Sequence, residues 1–144
     1  MNEQVLESYL KRYGWEWFVS YKNDVKIWCT GWQSEIKSFP LNISFTETWI
    51  LFEVDPFIPL EYDSQKDFLY KPLMELNNDI QLVKLCLNEY GSVSLKLQLL
   101  SNMSYTEFSN ALGILAYYTD LLYANLVDTK EDQQDTLETY SIIL

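Results

Sequence analysis

LMELNNDIQLVKLCLNEYGSVSLKLQLL, residues 73–100, decides the fold. It reads as the end of a helix, two asparagines, and two strands of strictly alternating character joined at Gly91. In QLVKLCL, Val83, Leu85 and Leu87 share one side while Lys84 and Cys86 take the other. In SVSLKLQLL, Val93, Leu95, Leu97 and Leu99 point inward and Ser94, Lys96 and Gln98 outward. A period of two places these sets on opposite sheet faces, and the NEYGS loop has ordinary hairpin length. One face of such a hairpin has to be covered.

The cover lies immediately downstream. SYTEFSNALGILAYYTDLLYANL opens with Ser104 and Glu107 as an S-x-x-E capping box, and Phe108, Leu112, Leu115, Thr119 and Leu122 follow as a helical stripe. This predicts a helix over 104–126. Ile114, Tyr117, Leu121 and Ala124 form a second apolar set on another azimuth, more than contact with a sheet requires. The surplus points to a further partner.

Upstream, Val5, Leu6, Tyr9, Leu10 and Tyr13 recur at helical spacing, with Gly14 as a stop, so residues 2–13 read as a helix. WEWFVSY and VKIWCTGW flank the turn residues KND as a first hairpin. In FPLNISFTETWILFEVDPF the alternation breaks near Thr46–Thr48, which predicts a tight turn or bulge, and Pro56 and Pro59 are expected to end the strand. A helix then runs to about Asn78, with Pro72 either in its first turn or kinking it. The strand phase taken for the first hairpin buries Trp17, Val19, Tyr21, Val25, Ile27 and Cys29 and leaves Phe18, Trp28 and Trp32 on the opposite face, joined by Trp49 and Leu51.

The 144 residues suit one domain, with residues 1–127 as its body and 128–144 as an acidic C-terminal tail carrying four of the eleven net negative charges. A hydrophobic fraction of 48% is enough to order such a chain. Ten Lys and Arg against 21 Asp and Glu repel a phosphate backbone, which argues against nucleic acid and anionic membrane as partners. No apolar run is long enough to span a bilayer and the start lacks a signal-type core, so a cytoplasmic protein is expected. Cys29 and Cys86 lie in separate predicted strands without metal-type spacing and read as reduced thiols.

With no histidine in the chain, Ser-His, Cys-His and His-metal arrangements cannot be written, and no phosphate-cradling motif is present. Glu47, Glu53, Asp55, Glu61, Asp63 and Asp67 read as solvated charge rather than an acid–base or cation site. Lys84 and Lys96 read as a polar sheet face that resists aggregation. No catalytic residue, cofactor or metal ligand is expected.

LMELNN followed by strand, Gly turn, strand and the capped helix SYTEFSNALGILAYYTDLLY resembles the YbjN family of small bacterial proteins, over about residues 68–126. The first half matches in order of elements. That resemblance implies the type III secretion chaperone-like fold, α+β, with an antiparallel β-sheet covered on one face by helices in the order α-β-β-β-(β)-α-β-β-α, and frequent homodimers. Secretion chaperones of this fold hold an extended client against apolar patches, and the YbjN branch is described as a sensory transduction regulator. Asn77 and Asn78 read as a helix-terminating pair.

The function expected is therefore a non-enzymatic protein-binding module, chaperone-like or regulatory, that presents apolar sheet or helix surface to a polypeptide. Phe18, Trp28, Trp32, Trp49, Ile114, Tyr117 and Leu121 are its expected contacts. The rival is a small-molecule or carbohydrate module in which Trp28, Trp32 and Trp49 stack on a ligand.

Overall fold

The computed structural model describes residues 1–59 and 63–143, and the side chains of 1–59 and 70–127. Its elements are α1 (Glu3–Tyr13), β1 (Phe18–Lys22), β2 (Val25–Gln33), β3 (Ser38–Phe45), β4 (Trp49–Ile58), α2 (Asp63–Asp79), β5 (Val83–Leu87), β6 (Val93–Leu100) and α3 (Tyr105–Ile143). The six strands form one antiparallel sheet in the order β1-β2-β3-β4-β6-β5. The fold is α+β, with the helices on one face.

Local chemistry sets the element ends. The Asn2 side chain accepts the Val5 N–H at 2.9 Å to start α1, and Gly14 ends it in the left-handed region. Ser104 caps α3 by accepting from the Glu107 N–H at 3.2 Å. The helix expected over 104–126 continues to Ile143, because no Pro or Gly follows Gly113 to break it. α2 runs through Pro72, so the longer of the two readings holds. Strand β4 also runs past Pro56. It leaves β3 after Glu53, and its register with β6 shifts between Val54 and Ile58, where a missing N–H is tolerated.

The core lies between the sheet and the helices. Leu6 and Leu10 of α1, and Phe108, Leu112, Leu115 and Leu122 of α3, pack on Leu41, Ile43, Phe52 and Leu95. Phe108 meets both Phe52 and Tyr9 at ring separations below 6 Å, and the Tyr9 hydroxyl donates to the Met103 carbonyl at 3.1 Å. The stripe foreseen on α3 is fully buried, Thr119 included; its hydroxyl donates to the Leu115 carbonyl at 2.6 Å.

The first hairpin corrects the expected strand phase. Asn23 and Asp24 both have positive φ, the two-residue turn that matches strand twist, and they fix Lys22 opposite Val25 and Val19 opposite Trp28. On the other side of β2, Trp28 lies opposite Ile43 and Trp32 opposite Phe39. Directly opposed residues share a face, so Trp28 and Trp32 join the helix-covered side, and Val25, Ile27 and Cys29 the other. Trp28 is 2% exposed, stacks on Phe45 and donates its indole N–H to Glu7 at 3.1 Å. Val19 and Tyr21 share its face yet remain exposed, because β1 is an edge strand beyond the reach of the helices.

The uncovered face is not flat. Lys22 at the end of β1 and Glu89 in the β5–β6 loop belong to opposite margins of the sheet, yet their charged groups lie 3.0 Å apart. The sheet therefore coils until two diagonal corners meet over this face, an extension of normal strand twist. Ser94, which points outward by alternation, is consequently buried.

Candidate functional site

Strand β5 is shorter than β6. It begins with Val83 opposite Leu97, so residues 98–100 extend past it without a neighbour on that side. Leu82 turns away with φ of 68°, and the Val83 N–H bonds to the Gln81 carbonyl at 2.8 Å, a tight turn that a branched residue adopts only under strain. The gap is a groove of about 340 Å³. Leu97, Leu99 and Ala111 form its floor, Leu82, Leu100 and Ile114 its walls, and Asn102, Glu107 and Asn110 its polar rim.

On α3 the groove runs into a stripe that starts at Ile114, partly buried against the core, and becomes exposed beyond it. At 3.6 residues per turn, Glu107, Asn110, Ile114, Tyr117 and Leu121 fall within an arc of roughly 80°. Tyr117 is 64% exposed and Leu121 44%. On the sheet side, Leu100 lies directly opposite Trp49, and both are exposed. Leu100 and Ile114 both line the groove, Trp49 lies opposite Leu100, and Tyr117 and Leu121 continue the arc on α3; together these residues define a band around the free end of β6, about 10 Å long from Ile114 to Leu121 at 1.5 Å per residue. Contiguous exposed apolar area of this kind marks contact surfaces.

Of the seven contacts expected, Ile114, Tyr117 and Leu121 share one arc of α3, and Trp49 lies opposite Leu100, which lines the groove with Ile114. Phe18 stands apart, 67% exposed on edge strand β1. Trp28 is core, a correction to its expected role as a contact. Trp32 is partly buried, stacked on Trp15 at 5.9 Å and tilted against Phe39. Trp28 and Trp32 lie on one face and Trp49 on the other, so the three indoles offer no common stacking platform.

The other margin of β5 is closed by a residue whose role the sequence did not reveal. The Asn77 side chain accepts the Leu85 N–H at 2.7 Å and donates to the Leu85 carbonyl at 2.9 Å, as a neighbouring strand would. Neither Asn77 nor Asn78 adopts the left-handed conformation expected of a helix stop; α2 continues to Asp79. Asn77 thus blunts an edge open to pairing.

A polar cluster occupies the coiled face. Glu53 lies 3.9 Å from Lys96, which is itself directly opposite Lys84, and Asn88 donates to Asp55 at 2.8 Å while its own oxygen accepts the N–H groups of Tyr90 and Ser92. Burial pushes the Glu53 carboxyl above its ordinary range; Lys96 opposes that rise and Asp55 adds to it. Burial likewise raises the Cys29 thiol. The Lys22 ammonium is held in its charged form mainly by its hydrogen bond to Glu89. Among the described residues no group of three or more His, Cys, Asp or Glu is placed to hold a metal ion, and no helix is long and apolar enough to cross a membrane. Glu61, Asp63 and Asp67 of the expected carboxylate group have side chains outside the described residues.

No family model matches the chain, and no curated protein matches it in sequence. Among solved structures, YbjN, a candidate transcription regulator from E. coli, superposes with a TM-score of 0.63 at 14% identity, over 92% of this chain and 94% of that one. The type III secretion chaperone SycH of Yersinia pestis, solved in complex with a stable fragment of YscM2, gives 0.47 at 16% identity over 83% of this chain and 97% of that one. The chain has the α+β fold of YbjN.

Proposed function

We propose that this chain is a non-enzymatic protein-binding module of regulatory or chaperone-like type, cytoplasmic and dimeric, that receives an apolar segment of a polypeptide along the band from Trp49 to Leu121. Residues 1–127 form the binding domain and 128–144 its acidic C-terminal tail. One observation carries the reading: a groove lined by Leu82, Leu97, Leu99, Leu100 and Ile114 lies beside the exposed Tyr117 and Leu121 of α3 on a strongly acidic chain. Alternation along β6 aims the N–H and C=O of Gln98 and Leu100 toward the gap left by β5, where an extended segment finds backbone partners as well as side-chain contact. The Glu107 rim and the net charge of -11 favour basic residues flanking that segment.

Selection from a random peptide library on the purified protein tests this. Apolar peptides with basic flanks are expected, with affinity lost in Tyr117→Asp and Leu121→Asp while circular dichroism is unchanged. Peptides that bind both variants as well as the wild type would place the site elsewhere.

A further inference from the structure

The two margins of the sheet are treated differently. Asn77 closes β5, whereas all five residues of β1 are exposed, including Phe18 and Tyr21 at 67% each and Val19 at 39%. We propose that β1 pairs with β1 of a second copy, antiparallel about Ser20, to join two six-stranded sheets into one. This rests on the dimer proposed above and names its interface.

Backbone geometry comes first. The two-residue turn makes Lys22 and Val25 a hydrogen-bonded pair, and alternation then turns Ser20 and Phe18 toward β2 and leaves the N–H and C=O of Val19 and Tyr21 facing outward. With Ser20 on the two-fold axis, Val19 of each copy lies opposite Tyr21 of the other. These two residues carry the outward-facing groups, so the register completes four hydrogen bonds.

Side chains agree with the same register. Val19 against Tyr21 is an aromatic and β-branched cross-strand pair, of the kind that stabilises antiparallel sheets. Lys22 falls opposite the Phe18 ring rather than another ammonium, and the strand contains no proline and no carboxylate. A chain of net charge -11 resists self-association over most of its surface, and this edge, which carries no negative charge and the one cation of Lys22, is a place where two copies can meet. The exposed side-chain area of Phe18, Val19 and Tyr21 is only about 300 Å² per copy, so a reversible dimer is expected rather than an obligate one.

A serine on the two-fold axis permits a direct test. Ser20→Cys brings two thiols together at a non-hydrogen-bonded pair, where Cα atoms approach to about 4.5 Å, within disulfide range. Under mild oxidation Ser20→Cys is expected to give a covalent dimer, while the wild type and Ser38→Cys, exposed on β3, do not. Val19→Pro removes an outward donor and the Val19 side chain of the cross-strand pair but no bond to β2, and should weaken dimerisation in light scattering at least about tenfold with unchanged circular dichroism. A particle that stays monomeric up to hundreds of micromolar would overturn both the dimer and this interface. A dimer that survives Val19→Pro and is not trapped by Ser20→Cys would overturn the interface alone, and a monomer whose β1 is protected only on adding a foreign peptide would assign the edge to that peptide.

Discussion

Replacing Asn77 by alanine removes two hydrogen bonds at once and leaves the N–H and C=O of Leu85 without their partner. The bonds are part-buried, at 2.7 and 2.9 Å, and each such bond contributes about 0.5–1.5 kcal/mol net. A loss of roughly 1–3 kcal/mol is expected. Asn78→Ala is the internal control: that residue is exposed, neighbours Asn77 in the same helix, and should change stability by less than about 0.5 kcal/mol. Asn77→Asp is the sharper variant, because it keeps the acceptor for the Leu85 N–H but sets a carboxylate oxygen against the Leu85 carbonyl, so it should cost at least as much as alanine. Urea unfolding of the four proteins measures this, with the midpoint moving and the slope unchanged. Equal midpoints for Asn77→Ala and Asn78→Ala would refute the role of Asn77 as a surrogate strand.

Two glycines should respond oppositely to alanine. A Cβ on Gly31 would stand 2.6 Å from the Phe39 carbonyl oxygen, so Gly31→Ala should destabilise by about 1–3 kcal/mol, whereas Gly113 has open space in mid-helix and Gly113→Ala should stabilise by about 0.5–1 kcal/mol; thermal melts of the pair decide this. Glu53 should leave a signature in pH. Because burial lifts its folded carboxyl above the unfolded value of about 4.3, the folded state binds the proton more tightly, and this group's contribution falls as pH rises from that value through the raised one. Relative to the wild type, Glu53→Gln should therefore be more favourable at pH 7 than at pH 4 in urea unfolding; the reverse order would show that the Lys96 ion pair outweighs burial.

Where a segment had one face to bury, its pattern was sufficient. Val83, Leu85, Val93, Leu95 and Leu97 are all buried, and Phe108, Leu112, Leu115 and Leu122 hold the helical stripe under the sheet, but Leu87, read with them, is 42% exposed beside the hairpin loop and Leu99 is only half-buried at the groove. The first hairpin was harder, because both faces of β1 and β2 are aromatic or β-branched, and apolarity cannot tell the covered side from the open one. There the register came from the Asn23–Asp24 turn, which local pattern did not rank above hydrophobic phase. The apolar stripe of Ile114, Tyr117 and Leu121 was legible as surplus on α3. The groove beside it was not, since it exists because β5 stops short of β6, a matter of pairing length; the Leu99–Leu100 doublet, which breaks the alternation, was its only local sign. Asn77 escaped for the same reason: its two bonds reach across to another element.

The most direct test of the docking band uses a photo-crosslinking amino acid at Tyr117, in cells that make the protein, with the same group at Tyr90 as control. Tyr90 is at least as accessible but sits at the tip of the β5–β6 loop, away from the band. Crosslinks from position 117 to a discrete polypeptide, lost when Leu121 is changed to Asp and absent from position 90, are predicted. Equal labelling from both positions, or labelling from 117 that survives Leu121→Asp, would contradict the band as a binding surface.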